Sequence, residues 1–201
     1  MSKSLIGVSF VTAAIGAFSL PLAAEAATDP RIDAFRATCV PDRQNYEALK
    51  LRALEQGWAP VRAGVNDELD AMLGRSAETV FEPGMDASLA SYAATVAGGE
   101  AYLVLTSVTG EPIDLVGCYL YDFAASVPIE PDIVTEWLGA PPTDAINEPT
   151  VIVGYTWETP ASLPGTWDVY LAFLPEGGGA SEFAGFSGVL IKITSVEPKE
   201  E

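Results

Sequence analysis

The clearest pattern along the chain is an alternation of apolar and polar residues near the C-terminal end. Every second residue from Trp167 to Phe173 is apolar, and the residues between them are Asp168, Tyr170 and Ala172. Successive side chains of a β-strand point to opposite faces of the sheet, so this segment predicts a strand with one buried face. The predicted strand covers residues 166–174.

Five further segments predict strands by their apolar content and by the turn residues that bound them. They are residues 91–97, 101–108, 113–123, 151–157 and 186–194. Gly98 and Gly99 suit a tight hairpin between the first two, although a helix beginning at Asp86 is an alternative because apolar residues there also fall at helical spacing. Most connections are too short for parallel neighbours, so we expect an antiparallel sheet.

Helical signals lie mostly before these strands. Pro30 suits a helix start and predicts a short helix over residues 31–38, and Asp42 predicts the cap of a helix over 43–56 that ends at Gly57. A third helix is predicted over 66–73. A short helix is predicted over 131–138, between the third and fourth of these five strand segments. Residues 140–150 form a predicted proline-bearing connection, and residues 176–185 form a glycine-rich one. Trp58 is expected to return to the core.

These elements together predict an α+β fold. The expected architecture is an antiparallel sheet of about five or six strands with N-terminal helices and one short inserted helix. Residues 27–201 form a chain of 175 residues, which suits a single domain with one sizeable core. We therefore expect one α+β domain.

Residues 1–26 predict a secretory signal peptide. Lys3 supplies positive charge, residues 5–22 are almost wholly apolar or small, and Ala24-Glu25-Ala26 is a small-x-small cleavage pattern. A retained membrane anchor is the alternative, since the apolar run approaches the roughly 20 residues that span a bilayer. Pro21 interrupts the run just before the cleavage pattern. The expected location is the periplasm, or outside the cell, with no membrane association after cleavage.

The charge balance limits the classes of partner that we expect. The chain has 28 acidic and 10 basic residues, a net charge of −18, and no Lys or Arg between Arg75 and Lys192. Such a surface repels phosphate backbones and anionic lipids, so we expect neither nucleic acid nor a membrane surface as a partner. A neutral or basic protein, or a small ligand, is compatible with it. Adaptation to a saline medium, or solubility alone, is the plainer explanation of the charge.

Cys39 and Cys118 are the two cysteines of the chain. An oxidising compartment favours pairing, so the sequence predicts a disulfide between them. The chain-entropy estimate for a closed loop of this size is roughly 4.5 kcal/mol of stability. A catalytic cysteine is the alternative, but it needs a general base, usually histidine, and the chain has no histidine.

The absence of histidine excludes most common hydrolase designs. A Ser-His-Asp triad, a Cys-His dyad and the histidine-bearing zinc sites all require it. Carboxylate chemistry remains open, with Asp114, Asp122 and Asp168 as nominal candidates. The acidic run at Asp67, Glu68 and Asp70 lacks the spacing of a calcium-binding loop, so no metal or cofactor is expected.

Several short motifs occur together in the first part of the chain. They are Cys39 beside a helix that ends in Gly57-Trp58, then Gly117-Cys118, Tyr121-Asp122-Phe123 and Glu136-Trp137-Leu138-Gly139. In this combination the stretch from Phe35 to Gly139 resembles a group of small, uncharacterised secreted proteins from Gram-negative bacteria. The resemblance implies the periplasm and a disulfide, and brings no activity with it.

Three function classes are compatible with the sequence. The favoured one is a non-catalytic binding module that uses the sheet face or its loops, where Trp137, Trp157, Trp167 and Tyr155 could line a site or simply fill the core. The second is a carboxylate-dependent hydrolase. The third is an acidic inhibitor of a basic secreted hydrolase such as a lysozyme.

The sequence predicts that the mature chain begins at Ala27. Intact-mass measurement of protein recovered from the periplasm of an expressing Gram-negative cell should give the mass of residues 27–201. A membrane-bound species that still carries residues 1–26 would contradict this prediction.

Overall fold

The structure is a computed structural model that describes residues 28–80, 85–110 and 114–197. The predicted signal peptide over residues 1–26 lies outside these residues. The described elements, in chain order, are α1 (Pro30–Cys39), α2 (Tyr46–Glu55), β1 (Ala59–Pro60), α3 (Asp67–Val80), β2 (Asp86–Val96), β3 (Gly99–Thr109), β4 (Leu115–Asp122), α4 (Pro131–Leu138), β5 (Asp144–Glu148), β6 (Ile152–Glu158), β7 (Thr166–Leu174), α5 (Gly179–Ala184) and β8 (Gly188–Val196). None of the five helices within these ranges has the length and apolarity needed to cross a membrane.

The eight strands form one antiparallel sheet in the order β1-β2-β3-β4-β8-β7-β6-β5. The predicted α+β class and antiparallel pairing are confirmed, whereas the expected number of five or six strands is too low. The two missed strands, β1 and β5, are short and exposed along their whole length. They carry no apolar alternation, so their sequence gives no strand signal. Helix α5 likewise lies inside the predicted glycine-rich connection.

The sheet has two faces that are covered to different extents. On the first face, alternate residues of the central strands pack against α1, α2 and α4 to form the larger hydrophobic core. On the second face, α3 and α5 pack over part of the sheet and enclose a smaller core around Tyr102, Tyr121 and Phe186. The central strands therefore bury residues on both sides, which explains the long apolar runs in β3 and β4.

The predicted hairpin between the first two long strands is confirmed, and the alternative helix from Asp86 is wrong. Strands β2 and β3 pair in continuous register from Asp86↔Thr109 to Val96↔Gly99. The two turn residues are Ala97 and Gly98, with φ of 54° and 81°, rather than Gly98 and Gly99. Two successive positive φ values match the twist of the strands that the turn connects.

The cap of α2 differs from the prediction. Asn45, not Asp42, is the N-cap, and its side-chain oxygen accepts a hydrogen bond from the Ala48 N–H at 2.9 Å. Asp42 instead binds the Arg52 guanidinium at 2.5 Å. Asp and Asn are both good cap residues, so the sequence alone does not show which of the two caps the helix. In the structure Asp42 is engaged by Arg52, and Asn45 is left to cap α2.

Cys39 and Cys118 form a disulfide, with 5.7 Å between their Cα atoms. Cys39 ends α1 and Cys118 lies in the middle of β4, so the bond fastens the helical layer to the first face of the sheet. Nearby, the buried Trp58 indole donates to the Thr38 hydroxyl at 3.0 Å, which ties the end of α2 to α1. Trp58 thus returns to the core as predicted.

An ion-pair cluster fixes the start of α1 to the C-terminal end of β4. Asp29 caps the helix by accepting from the Arg31 N–H, and the Arg31 guanidinium binds both Asp29, at 2.7 Å, and Asp122, at 3.1 Å. Burial alone would raise the pKa of Asp29, but its hydrogen bonds with Arg31 and the charge of that residue outweigh burial and lower the pKa.

We expect the double variant C39S/C118S to lose about 2–5 kcal/mol of unfolding free energy, because the cross-link no longer restricts the unfolded chain. Urea unfolding of the variant and of the unreduced wild type measures the difference. Because both thiols are consumed in the bond, a thiol reagent should label neither cysteine of the unreduced protein, even after urea has unfolded it. Labelling of both would contradict the bond.

The lowered pKa of Asp29 predicts a stability contribution that depends on pH. It is fully present above the unfolded-state pKa of about 3.9 and is lost as the pH falls through the folded-state pKa. Asp29→Asn keeps a capping oxygen but removes the charge. We expect this variant to be about 1 kcal/mol less stable than wild type at pH 7. The difference should shrink below about pH 4. A constant difference from pH 7 to pH 2 would contradict the linkage.

Candidate functional site

The aromatic residues considered from the sequence serve mainly as core. Trp157 is 1% exposed, and its indole N–H donates to the Ala140 carbonyl at 3.0 Å. Trp137 and Tyr155 are half-buried against the larger core, and Trp137 meets Phe35 edge to face with ring centroids 6.2 Å apart. Trp157 therefore belongs to the core, and Trp137 and Tyr155 pack against it with part of each side chain exposed.

Trp167 is the exception, with 55% of its surface exposed. It is the extra residue of a β-bulge, because Thr166 and Asp168 pair with the adjacent residues Ser195 and Thr194. A bulge leaves one residue unpaired and turns its side chain away from the regular alternation. The predicted burial of Trp167 on the apolar face of β7 is therefore wrong.

The three candidate carboxylates are not brought together. Asp114 lies immediately before β4 and accepts a hydrogen bond from the Gly110 N–H at 3.0 Å, whereas Asp122 ends the same strand and binds Arg31. Asp168 lies on β7 and binds Lys192 at 2.7 Å. A glycosidase-type pair needs two carboxylates that face one substrate, and these three do not form one. In the described part of the chain, no group of three His, Cys, Asp or Glu is placed to hold a metal ion.

A cleft of about 370 Å³ lies at the β1 edge of the sheet, between α3 and β2. This volume is at the lower end of the range for small-ligand sites. Its walls are mainly apolar, with Arg62 and Asp70 as the charged residues that line it. Asp70 also accepts from the Gly64 N–H at 2.7 Å, so part of its role is to hold the preceding loop against α3.

The second face of the sheet is only partly covered by α3 and α5. Beyond the covered part, Tyr119 on β4, Lys192 on β8 and Tyr170 on β7 lie side by side in register. All three are half-buried. Asp168 and Thr194 form the next row of the same face. We call the surface formed by Tyr119, Lys192, Tyr170, Asp168 and Thr194 the tyrosine face.

Two glycines let the tyrosine rings lie close to the sheet. A Cβ added at Gly117 would lie 2.6 Å from the Tyr119 ring, and a Cβ added at Gly154 would lie 2.9 Å from the Tyr170 hydroxyl. These distances are too short for a real Cβ, so any side chain at either position would displace the ring above it. Glycine in a strand often marks such a close approach. The tyrosine face is consequently flat and aromatic.

The centre of the tyrosine face is an ion pair. The Lys192 ammonium lies 2.7 Å from Asp168 Oδ2 and 5.8 Å from the centre of the Tyr170 ring, within range of a cation–π contact. The other carboxylate oxygen, Asp168 Oδ1, is buried and has no hydrogen-bond partner among the described residues. An acceptor left in this state costs free energy that a hydrogen-bond donor would recover.

Negative charge surrounds one side of the tyrosine face. Asp144 and Glu158 are exposed on the neighbouring strands β5 and β6. Burial raises the pKa of Tyr170, and the charge of Asp144 raises it further, so Tyr170 stays a neutral phenol at physiological pH. The face therefore offers neutral aromatic rings, one balanced ion pair and an acidic border.

The sequence does not predict the tyrosine face. Asp168 is among the candidate carboxylates, but Tyr119, Tyr170 and Lys192 stand out only as residues of predicted strands. One local signal was present, because Gly117 precedes Tyr119 by two residues and so shares its face of the strand. The close approach of the Tyr170 side chain to Gly154 joins two different strands, so it gives no local signal in the sequence.

Comparisons of the chain with protein-family models, with curated proteins and with solved structures found no match. The resemblance to secreted proteins of Gram-negative bacteria therefore stays a prediction.

Proposed function

We propose that the protein is a non-catalytic, periplasmic binding module whose tyrosine face contacts a protein partner with a neutral or basic surface. The observation that carries the proposal is the row Tyr119–Lys192–Tyr170, which stays partly exposed in the middle of an eight-stranded sheet. Positions in the middle of a sheet are usually covered. Large aromatic side chains left accessible there are typical of interaction surfaces.

The shape of this surface favours a macromolecular partner. Small-molecule sites are concave, whereas the tyrosine face is flat because its rings lie down over Gly117 and Gly154. Tyrosine supplies a large contact area and one hydroxyl at little entropic cost, which is why it is enriched among the residues that dominate binding energy. A flat surface of this kind suits another protein surface better than an isolated small ligand.

The charges favour a partner that brings positive groups. Asp144 and Glu158 add negative charge at the border, and the chain as a whole carries −18. Attraction between complementary charges would speed association, and added salt would weaken this attraction. A basic secreted hydrolase is one partner of this class, in keeping with the inhibitor alternative from the sequence.

The arrangement gives no support to the hydrolase alternative. Asp122 and Asp168 are each engaged by a basic residue, and Asp114 lies at the opposite end of β4 from Asp122. The proposed role is therefore binding without chemistry.

Binding through the tyrosine face predicts that Y119A/Y170A loses a partner that the wild-type protein retains. The mature chain, immobilised and incubated with periplasmic extract, should capture a protein at low ionic strength and release it in high salt. W167A is the matched control, because Trp167 is an exposed aromatic residue outside the face. We expect W167A to capture the same protein as wild type.

Tyr119 and Tyr170 also pack against the smaller core, so folding of the double variant must be checked by its melting temperature and circular dichroism. The milder variant G117A, which displaces the Tyr119 ring, should weaken capture without removing a tyrosine. A folded Y119A/Y170A protein that captures the same partner as wild type would overturn the proposal. If W167A loses capture and Y119A/Y170A keeps it, the binding site lies at the β7 bulge and not on the tyrosine face.

A further inference from the structure

The two edges of the sheet differ in how they are protected. At one edge, β1 has two residues, and Pro60 has no N–H to offer a further strand. At the other edge, β5 pairs with β6 through all five of its residues, from Asp144 to Glu148, and every one of them is exposed. In the described part of the chain no strand pairs with the outer side of β5. An edge of this kind is a template for another strand.

One face of β5 carries an apolar residue between two acidic ones. Asp144, Ile146 and Glu148 share one face of the sheet, and Ile146 is 42% exposed. The Asp144 carboxylate accepts from the Ala145 N–H at 2.9 Å, an exposed contact that a carbonyl from an added strand could replace. No basic residue occurs between Arg75 and Lys192, so nothing in β5 or β6 neutralises these acids within their own strands.

A second copy of this chain does not suit the edge. If two β5 strands paired antiparallel about Ile146, each Asp144 would stand opposite a Glu148, and like charges directly opposite destabilise a strand pair. The occupant must instead carry positive charge at the same spacing. Opposite charges and apolar pairs across two strands are favourable.

We propose that the β5 edge binds an extended basic segment of another protein as a ninth strand. Lysine or arginine of the segment stands opposite Asp144 and Glu148, and an apolar residue stands opposite Ile146. Backbone hydrogen bonds supply affinity, and the alternation of basic and apolar residues supplies specificity. This inference goes beyond the proposed function, since it concerns the edge of the sheet and holds whether or not the tyrosine face binds a partner.

The test uses the folded mature chain and a synthetic, end-blocked peptide of sequence Thr-Lys-Thr-Ile-Thr-Lys-Thr. Its lysines and isoleucine fall on one face of a strand, and the sequence reads the same in both directions. Binding is measured by fluorescence anisotropy at low ionic strength. Amide hydrogen exchange over residues 144–148 should slow when the peptide binds, because their outer backbone groups gain partners.

Two control peptides separate strand addition from simple charge attraction. Replacing both lysines with glutamate should abolish binding. N-methylation of the central Thr, Ile and Thr keeps both charges but removes the backbone donors on both edges of the peptide, and it should abolish binding as well. Equal binding of the methylated and unmethylated peptides would overturn the proposal.

Charge reversal on the protein supplies the matched variants. D144K/E148K should weaken binding of the lysine peptide by about tenfold or more and should bind the glutamate peptide instead. E55K/E136K carries the same change in charge at exposed positions of α2 and α4, and it should bind the lysine peptide like wild type. If E55K/E136K weakens binding as much as D144K/E148K, net charge rather than the β5 edge explains the attraction, and the proposal fails. No binding of the lysine peptide to wild type also overturns it.

Discussion

The structure depends on how β4 is held between two layers of side chains. Cys118 on this strand is bonded to Cys39 at the end of α1, which fixes the first face of β4 beneath the helices. Its neighbour Tyr119 must then point to the second face, because successive residues of a strand alternate. The covalent bond on one side of the sheet therefore determines which residues the other side presents.

Non-covalent interactions also constrain β4. Arg31 joins Asp29 at the start of α1 to Asp122 at the end of the strand. Strand β8, paired with β4 in continuous register, places Lys192 beside Tyr119. A shift of one residue in that register would move Lys192 into the larger core, where an ammonium group without a partner would be very costly. The tyrosine face is thus a consequence of the register that the core imposes.

The second face differs from the first because fewer helices cover it. Helices α3 and α5 bury the part around Tyr121 and Phe186. The neighbouring row of Tyr119, Lys192 and Tyr170 has no described helix above it, and its own side chains cover the backbone. Gly117 and Gly154 let two tyrosine rings lie against the backbone, which shields the sheet without a further helix. Rings held against the backbone in this way have little room to move, which reduces the entropy that they would lose when a partner binds.

The sequence alone determined the broad class, the antiparallel pairing, the longer strands and the disulfide. Each of these follows from local or compositional information: alternation in residues 166–174, turn residues around Gly98, and two cysteines in a chain predicted to be exported. The predictions failed where no local signal existed. Strand β5 is exposed on both faces and shows no apolar alternation, and the bulge at Trp167 reverses the outcome of an otherwise regular pattern.

Only the tertiary structure decided which surfaces stay open. Tyr119, Lys192 and Tyr170 are separated by many residues in the chain and meet because β8 lies between β4 and β7. Whether they are covered depends on where α3 and α5 pack, and the identities of these three residues do not predict where those helices pack. Local periodicity tells which side chains share a face, but the burial of that face is set by long-range packing.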